Sequence, residues 1–254
     1  MDEEIFLNTI YHRTRKRIRD LGEVFTPEQY AEDMLNLLGT VNSSIWFDLD
    51  TEFFEPCCGH GNIVLPILKR RVTSIFKNAS GPKRSALYAV ANSINTLWAI
   101  DIDIQNINEC RSRVWSYCIN YILEHSSSNS LYFLIEENTD YFIHLLCAIK
   151  WHIFENELLS ALSSTNAAKG NAAKTKYGAA WFKINGHRPI DFKQTWCDFY
   201  RASHKNNLTP LDYEKAEVFL QNLLLNKQLP KGFEFATDFL GINKRKIELE
   251  ERWQ

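Results

Sequence analysis

A short apolar strand that ends in an acid and leads directly into a glycine-rich turn most constrains how this chain can fold. Residues 53–62 read Phe-Phe-Glu-Pro-Cys-Cys-Gly-His-Gly-Asn, and a helix is predicted to open at Ile63. Because Gly59 and Gly61 lack a Cβ, the backbone there can approach a ligand that a side chain would exclude. The N–H groups that open the next helix can bind an electronegative group. The pattern predicts a binding loop at the carboxyl end of a strand, although a purely structural turn is equally compatible with it.

A second predicted strand, Trp98-Ala-Ile-Asp101, also ends in an acid and precedes an amphipathic helix over residues 104–124. The carboxyl ends of parallel strands lie at one edge of a sheet, so we expect Asp101 beside the glycine turn. An acid at that place commonly accepts hydrogen bonds from the ribose hydroxyls of a nucleoside cofactor; a strand-end acid that faces water is the alternative. The turn lacks the third glycine of GxGxxG, which disfavours a dinucleotide cofactor.

Alternating short strands and helices predict an α/β fold, with a mostly helical last third that packs as a flanking lobe. We divide the chain into an N-terminal basic helix (1–21), a cofactor-binding domain (22–200) and a helical C-terminal lobe (201–254). The Ser-, Ala- and Gly-rich residues 160–180 are predicted to form a mobile loop, and residues 180–184 a strand.

Local signals refine the helix boundaries. Thr26 is expected to cap a helix that has Pro27 at its first position and Gln29 completing a capping box. This helix is predicted to end at Leu38, before Gly39. Residues 131–135 fit either a strand or the start of a helix that continues through Leu146.

Composition excludes several classes of protein. The chain has 254 residues and a formal net charge of −2, so a nucleic-acid surface would have to be a local basic patch. We expect no membrane span, because no run of about eighteen apolar residues occurs. The start of the sequence does not resemble a secretory leader, so a cytoplasmic location is expected. The six cysteines lack metal-ligand spacing and are expected to be buried reduced thiols, with no metal site; they are residues 57, 58, 110, 118, 147 and 197.

Four motifs in a fixed order resemble those of S-adenosylmethionine-dependent DNA adenine-N6 methyltransferases, of the kind found in type I modification subunits and related phage methylases. They are Gly22-Glu-Val-Phe-Thr-Pro27, Glu55-Pro-Cys-Cys-Gly-His-Gly61, Trp98-Ala-Ile-Asp-Ile-Asp103 and Trp151-His-Ile-Phe-Glu-Asn-Glu-Leu-Leu159. The last is similar to the family's Asn-Ile-x-x-Gly-Asp-x-Leu motif. The resemblance covers roughly residues 20–160, and it is the set of motifs, rather than any single one, that is specific. It implies a Rossmann-like methyltransferase sheet with helices on both faces.

The resemblance also implies a set of cofactor-binding residues. Phe25 and Thr26 would flank the methionine end of S-adenosylmethionine, and Asp101 would bind its ribose. Glu157 would contact the adenine amine, although an exposed helix acid is the alternative for this residue. The amino-acid moiety would be lined by Glu55, Gly59 and Gly61, and the same set of cofactor-binding residues includes Pro56, Cys57 and Ile102.

The sequence departs from the family at the catalytic motif. These enzymes carry (Asn/Asp/Ser)-Pro-Pro-(Tyr/Phe), in which the polar side chain and a Pro carbonyl accept hydrogen bonds from the adenine amine while the aromatic ring stacks on the flipped base. The chain contains no Pro-Pro. Asn185, which follows the predicted strand at 180–184, is the candidate catalytic substitute, with an ordinary loop residue as the alternative. Asn138-Thr-Asp-Tyr141 has suitable residue types but precedes the motif at 151–159.

Two basic stretches are candidates for contact with DNA phosphates. One is the run at residues 12–17. The other is Lys244, Arg245 and Lys246, in a segment that resembles half of a helix-turn-helix. For both, a solvated helix face is the alternative.

The sequence therefore predicts an enzyme that transfers a methyl group from S-adenosylmethionine to adenine N6 in DNA. The alternative is a catalytically degenerate, methyltransferase-like module that binds the cofactor or DNA, or serves as a subunit of a modification or anti-restriction system. Methylation of RNA is a third, less favoured interpretation. The expected partners are DNA and a separate specificity or catalytic subunit.

Overall fold

The computed structural model describes residues 26–81, 84–127, 130, 133–134, 138–162 and 176–198. Several predictions lie outside this part of the chain. These are the N-terminal helix (1–21), Phe25, most of the predicted mobile loop, the C-terminal lobe (201–254) and the basic residues Lys244, Arg245 and Lys246.

The described residues form a mixed α/β fold with a small parallel sheet and many helices. In chain order the elements are α1 (Glu28–Val41), a 3-10 turn (Ser43–Trp46), β1 (Phe53–Glu55), α2 (Val64–Asn78), α3 (Ala86–Asn95), β2 (Leu97–Asp101), α4 (Ile104–Glu124), α5 (Thr139–His152), β3 (Ile153–Glu155), α6 (Leu158–Leu162) and α7 (Lys176–Asn185). The strands are parallel in the order β1-β2-β3. The predicted α/β class is confirmed at this level. Within the described ranges, no helix combines the length and apolar character that crossing a membrane requires.

One face of the sheet carries the main core. Phe53 lies opposite Leu97 in the β1–β2 register, and Ala99 lies opposite Ile153 in the β2–β3 register. These four side chains are buried together with apolar residues of α2, α3, α4 and α5. Because alternate residues of a strand point to opposite faces, the helices cover this face and leave Trp98 and Ile100 to the other.

The second face is contacted by the segment that follows α7. The Phe192 ring lies 5.0 Å from the Phe54 ring and 5.6 Å from the Trp98 ring, in edge-to-face geometry in both pairs. The backbone N–H of Trp196 donates to Nε2 of the buried His152 over 3.2 Å. Aromatic contacts and one buried hydrogen bond therefore hold residues 192–196 against the sheet.

A fully buried arginine joins α2 to the start of the sheet. The Arg71 guanidinium donates to the carbonyl oxygens of Ile45 and Asp48, over 2.6 and 3.0 Å, and to Thr96 Oγ1 over 2.8 Å. It also lies over the Phe53 ring, 5.1 Å from the centroid. Burial lowers its pKa to about 10. Charge-assisted hydrogen bonds thus compensate the desolvation of the cation.

The start and the end of α1 differ from the prediction. Pro27 has an extended ψ of 147° and occupies the cap position without a side-chain hydrogen bond, so Thr26 is not the cap and the helix begins at Glu28. The helix also continues through Gly39 to Val41. A Cβ on Gly39 would lie 2.9 Å from Trp46 Nε1, so close packing against the 3-10 turn explains this glycine better than a helix stop.

The predicted strand at 180–184 is wrong, because these residues lie within α7. Gly178 and Trp181 are buried three positions apart while Ile184 is exposed, which is helical and not strand-like spacing. Short apolar runs of this kind do not distinguish the two structures. For residues 131–135, the two described members, Phe133 and Leu134, are helical.

Candidate functional site

The structure brings the glycine turn and Asp101 together at the carboxyl edge of the sheet. The Gly59 N–H donates to Asp101 Oδ2 over 2.9 Å. The Cys58 N–H donates to the Ile100 carbonyl oxygen over 2.8 Å, so the turn follows β2 beyond the end of β1. The predicted proximity of these two sequence features is confirmed, and its cause is the parallel pairing of β1 with β2.

Hydrogen bonds from residues that follow it in the sequence hold the Asp101 carboxylate in place. Its Oδ1 accepts from the Asp103 N–H over 2.8 Å and from Asn106 Nδ2 over 3.3 Å. Burial raises the pKa of Asp101, and these hydrogen bonds, with that of Gly59, partly offset the rise. A half-buried carboxylate with a fixed orientation is suited to accept hydrogen bonds from a ligand without reorganising.

Glu55 lies near the negative charge of Asp101. Its Oε1 accepts from the Cys57 N–H over 3.2 Å. Burial raises the pKa of Glu55, and the negative charge of Asp101 raises it further. Partial desolvation also raises the pKa of the Cys57 thiol, with added effects from the carboxylates of Asp101, Glu55 and Glu157. Glu55, Cys57, Asp101 and Glu157 thus lie in one region of negative charge, which favours the binding of a cationic ligand group.

The two glycines of the turn serve different purposes. Gly59 has a φ of +51°, and a Cβ there would meet no atom within 4 Å. Gly61 has a φ of +96°, and a Cβ there would lie 2.9 Å from Cys110 Sγ on α4. The expectation that both glycines admit a ligand therefore needs correction, because at Gly61 the close approach is to a helix of the same chain. Open space adjoins Gly59 alone of the two.

Sequence reasoning missed the residues that anchor the turn. Arg113 Nη1 donates to the His60 carbonyl oxygen over 2.8 Å and to Asn62 Oδ1 over 3.0 Å. Asn62 Nδ2 donates in turn to the Thr26 carbonyl oxygen over 3.3 Å. Thr26, from the described part of the predicted N-terminal motif, thus lies against the glycine turn. One signal was available: Arg113 follows Cys110 by three positions, so helical periodicity places both on neighbouring parts of one face of α4.

Glu157 lies just beyond β3 and has a local role. Its Oε2 accepts from the Ser160 N–H over 2.8 Å, which caps the short helix α6. The preceding Asn156 is buried; its N–H donates to the Asp101 carbonyl oxygen over 3.1 Å and its Nδ2 to the Arg188 carbonyl oxygen over 2.9 Å. The backbone around Glu157 is thereby tied to Asp101. Contact of Glu157 with an adenine amine stays a prediction.

Asn185 ends a helix and not the predicted strand. Its Nδ2 donates to the Trp181 carbonyl oxygen one turn earlier, over 3.1 Å. The adjoining Gly186 carbonyl oxygen and Arg188 N–H contact Ser160 Oγ, over 3.3 and 3.0 Å. Asn185 therefore lies beside the β3 end of the sheet, whereas β1 forms the opposite edge of the three described strands.

The remaining predicted residues surround the turn. Pro56 and Ile102 are half-buried, and Cys57 is exposed. The prediction of buried thiols is correct for the other five cysteines and wrong for Cys57, which lies on the turn itself. In the part of the chain that the structure describes, no group of three or more His, Cys, Asp or Glu residues is placed to hold a metal ion.

Comparisons with known proteins give no match: no protein-family model, no curated protein and no solved structure is similar to the chain. The features of the site that bear on its function are the Gly59–Asp101 contact, the open space beside Gly59 and the negative charge of Glu55 and Asp101.

Proposed function

We propose that the protein binds S-adenosylmethionine at the carboxyl edge of its sheet and transfers the methyl group to the N6 amine of adenine in DNA. The observation that carries the proposal is the hydrogen bond between the Gly59 N–H and Asp101 Oδ2. It joins a glycine turn after one parallel strand to an acid at the end of the next. In open α/β sheets this edge is where nucleoside ligands bind.

The sheet topology supports the same proposal. In this proposal, the parallel strand order β1-β2-β3, with its connecting helices on one face, would form one half of a Rossmann-like sheet. The described residues of the motifs that resemble the methyltransferase family fall on or beside this edge, with Thr26 linked to the turn through Asn62. We therefore assign the described residues to a methyltransferase-like domain.

The charge of the site fits this cofactor. S-Adenosylmethionine carries an ammonium and a sulfonium group, both cationic. Burial raises the pKa values of Glu55 and Asp101, with a further rise from the charge of Asp101 at Glu55 and of Asp103 at Asp101. A nearby cation would lower both pKa values and gain free energy from doing so. The absence of any atom within 4 Å of a Cβ on Gly59 provides room for a ligand against the turn.

Each residue then has a definite role in this proposal. Asp101 would accept hydrogen bonds from the ribose hydroxyls, and its own bonds from Gly59 and Asp103 keep its carboxylate oriented. Glu55 would bind the ammonium group, and Glu157 would lie towards the adenine. When bound, the cofactor supplies an electrophilic methyl group, while the protein has to hold the acceptor amine and exclude water.

A second candidate is a module that binds the cofactor but lacks methyl transfer on its own. One observation favours it. Asn185 lies at the end of α7 beside β3, whereas the adenine-binding residue of the family follows a strand. In this second candidate a partner chain would supply the acceptor loop.

A transfer assay distinguishes the two candidates. The protein is incubated with methyl-labelled S-adenosylmethionine and mixed DNA, with RNA in a parallel reaction, and cofactor binding is measured on the same sample. Transfer to DNA supports the enzyme, and binding without transfer supports the module. Loss of transfer in Asn185→Ala, but not in a control at the exposed Asn120 of α4, would assign the acceptor contact to Asn185. Absence of cofactor binding overturns both candidates.

A further inference from the structure

The outward side of α1 is an apolar surface without a described partner. Five large side chains on it are between 43% and 81% exposed: Tyr30, Met34, Leu37, Leu38 and Val41. Their spacing of four, three, one and three places them on one helix face, while Ala31 and Leu35 are buried on the adjoining face. We call these five residues the outer face of α1. A contiguous apolar patch of this kind marks an interaction surface.

The sequence of residues 1–21, which is separated from α1 by six residues, carries a matching apolar pattern. Phe6, Ile10, Ile18 and Leu21 recur at helical spacing in the sequence of residues 1–21. As a helix, the whole segment of residues 1–21 would be about 31 Å long, compared with about 21 Å for α1. Gly22 then lies between the two, where a reversal of the chain needs a permissive residue. The segment is long enough to cover the whole outer face.

The charges of the two segments are complementary and in register. Residues 28–41 contain no Lys or Arg, and their three acids, Glu28, Glu32 and Asp33, lie in the first half of α1. Glu32 pairs with Arg70 of α2, so Glu28 and Asp33 are the acids that can attract a basic segment docked on the outer face. Residues 13–19 contain four arginines and one lysine. If the chain reverses near Gly22, the basic residues 13–19 run alongside the acidic half of α1, and Phe6 and Ile10 reach the apolar half. Opposite charges at this separation attract.

We infer that residues 1–21 dock antiparallel on the outer face of α1 as an amphipathic helix, forming a helical hairpin. A second copy of the chain fits this surface less well. In a two-fold, antiparallel pairing of α1 with itself, the acids of one helix would meet the uncharged second half of the other, without a basic residue to attract them. The segment at 1–21 satisfies both the apolar and the charged parts of the surface.

Hydrogen exchange on the full-length chain tests the inference, with the molar mass measured by light scattering. The expected results are a monomer with protected amides in residues 5–20. Leu37→Asp should accelerate exchange of those amides by about tenfold or more, since burial of one leucine is lost. The control is Ile184→Asp, which alters an apolar residue on α7 that is 83% exposed, compared with 69% for Leu37, and should leave exchange in residues 5–20 unchanged.

Three outcomes would overturn the inference. They are a dimer that Leu37→Asp dissociates, a monomer in which residues 5–20 exchange at the rate of an unfolded peptide, and equal effects of the two substitutions. If Leu37→Asp fails to fold, Ile10→Asp provides the same test from the other side. It should accelerate exchange in both residues 5–20 and α1, and unchanged exchange in α1 would contradict the docking.

Discussion

Replacement of the two glycines of the turn by alanine is expected to have unequal effects on stability. Both have a positive φ, which costs an L-residue about 1–2 kcal/mol. At Gly59 the new Cβ meets no atom within 4 Å, so Gly59→Ala should lower the free energy of unfolding by about 1–2 kcal/mol. At Gly61 the Cβ would lie 2.9 Å from Cys110 Sγ, a contact that forces a shift of α4 or of the turn.

The overlap with Cys110 makes the expected loss of stability larger for Gly61→Ala than for Gly59→Ala. Overpacking a close-packed site costs about 1–3 kcal/mol, so Gly61→Ala should lower the free energy of unfolding by about 2–5 kcal/mol. Removal of the sulfur by Cys110→Ala relieves the overlap and leaves only the backbone strain. In that background Gly61→Ala should cost about 1–2 kcal/mol, which makes the two substitutions non-additive.

Denaturant unfolding of the four variants, followed by circular dichroism, measures these free energies. Equal losses for Gly59→Ala and Gly61→Ala, or a Gly61→Ala loss that Cys110→Ala does not reduce, would refute the packing explanation. Cofactor affinity should show the opposite order. Gly59→Ala fills the open space beside the turn and should weaken binding, because that space is where we propose that the ligand lies.

Three further predictions concern buried polar and titratable groups. Arg71→Met should lower the free energy of unfolding by about 3 kcal/mol or more in a denaturant titration, because the buried Thr96 hydroxyl and the carbonyl oxygens of Ile45 and Asp48 lose a charged donor. Burial lowers the pKa of His152 to about 3, so between about pH 6.5 and 3 this side chain takes up a proton only in the unfolded state. The free energy of unfolding should therefore fall by about 1.4 kcal/mol for each unit by which the pH is lowered in that range. His152→Gln should remove this contribution to the pH dependence. Burial raises the pKa values of Glu55 and Asp101, so the folded state keeps these protons to higher pH than the unfolded state, and the stability they contribute is lost as the pH rises through the raised pKa values. Asp101→Asn should reduce that loss and lower the pKa of Glu55, as followed by an NMR titration.

Elements with a strong local signal were predictable from the sequence. The helix at 104–124 has the predicted bounds, because an uninterrupted apolar face identifies it along its whole length. The strand ending at Asp101 was predicted to within one residue of its start. By contrast, β3 follows α5 directly, without a turn residue, and its three residues give no periodic signal. Residues 180–184 were misassigned to a strand, since five residues cannot reveal the helical period.

The candidate site was predictable where it follows from topology. Glu55, Gly59 and Asp101 come together because parallel strands present their carboxyl ends at one edge. The Arg113 and Asn62 anchors, and the contact of Gly61 with Cys110, depend on how α4 packs against the turn. Such tertiary contacts join residues far apart in the sequence and leave no local pattern.

The central claim is that Asp101 and the glycine turn bind S-adenosylmethionine. Calorimetric titration of the full-length protein with this cofactor tests it most directly. We expect binding at one site, weakened by about 1–3 kcal/mol in Asp101→Ala, which is the range of charge-assisted hydrogen bonds. Asp48→Ala is the control, since Asp48 makes similar local bonds to Asp50 and Thr51, and it should leave the affinity unchanged. No binding by the unaltered protein, or equal affinity for Asp101→Ala, would contradict the claim.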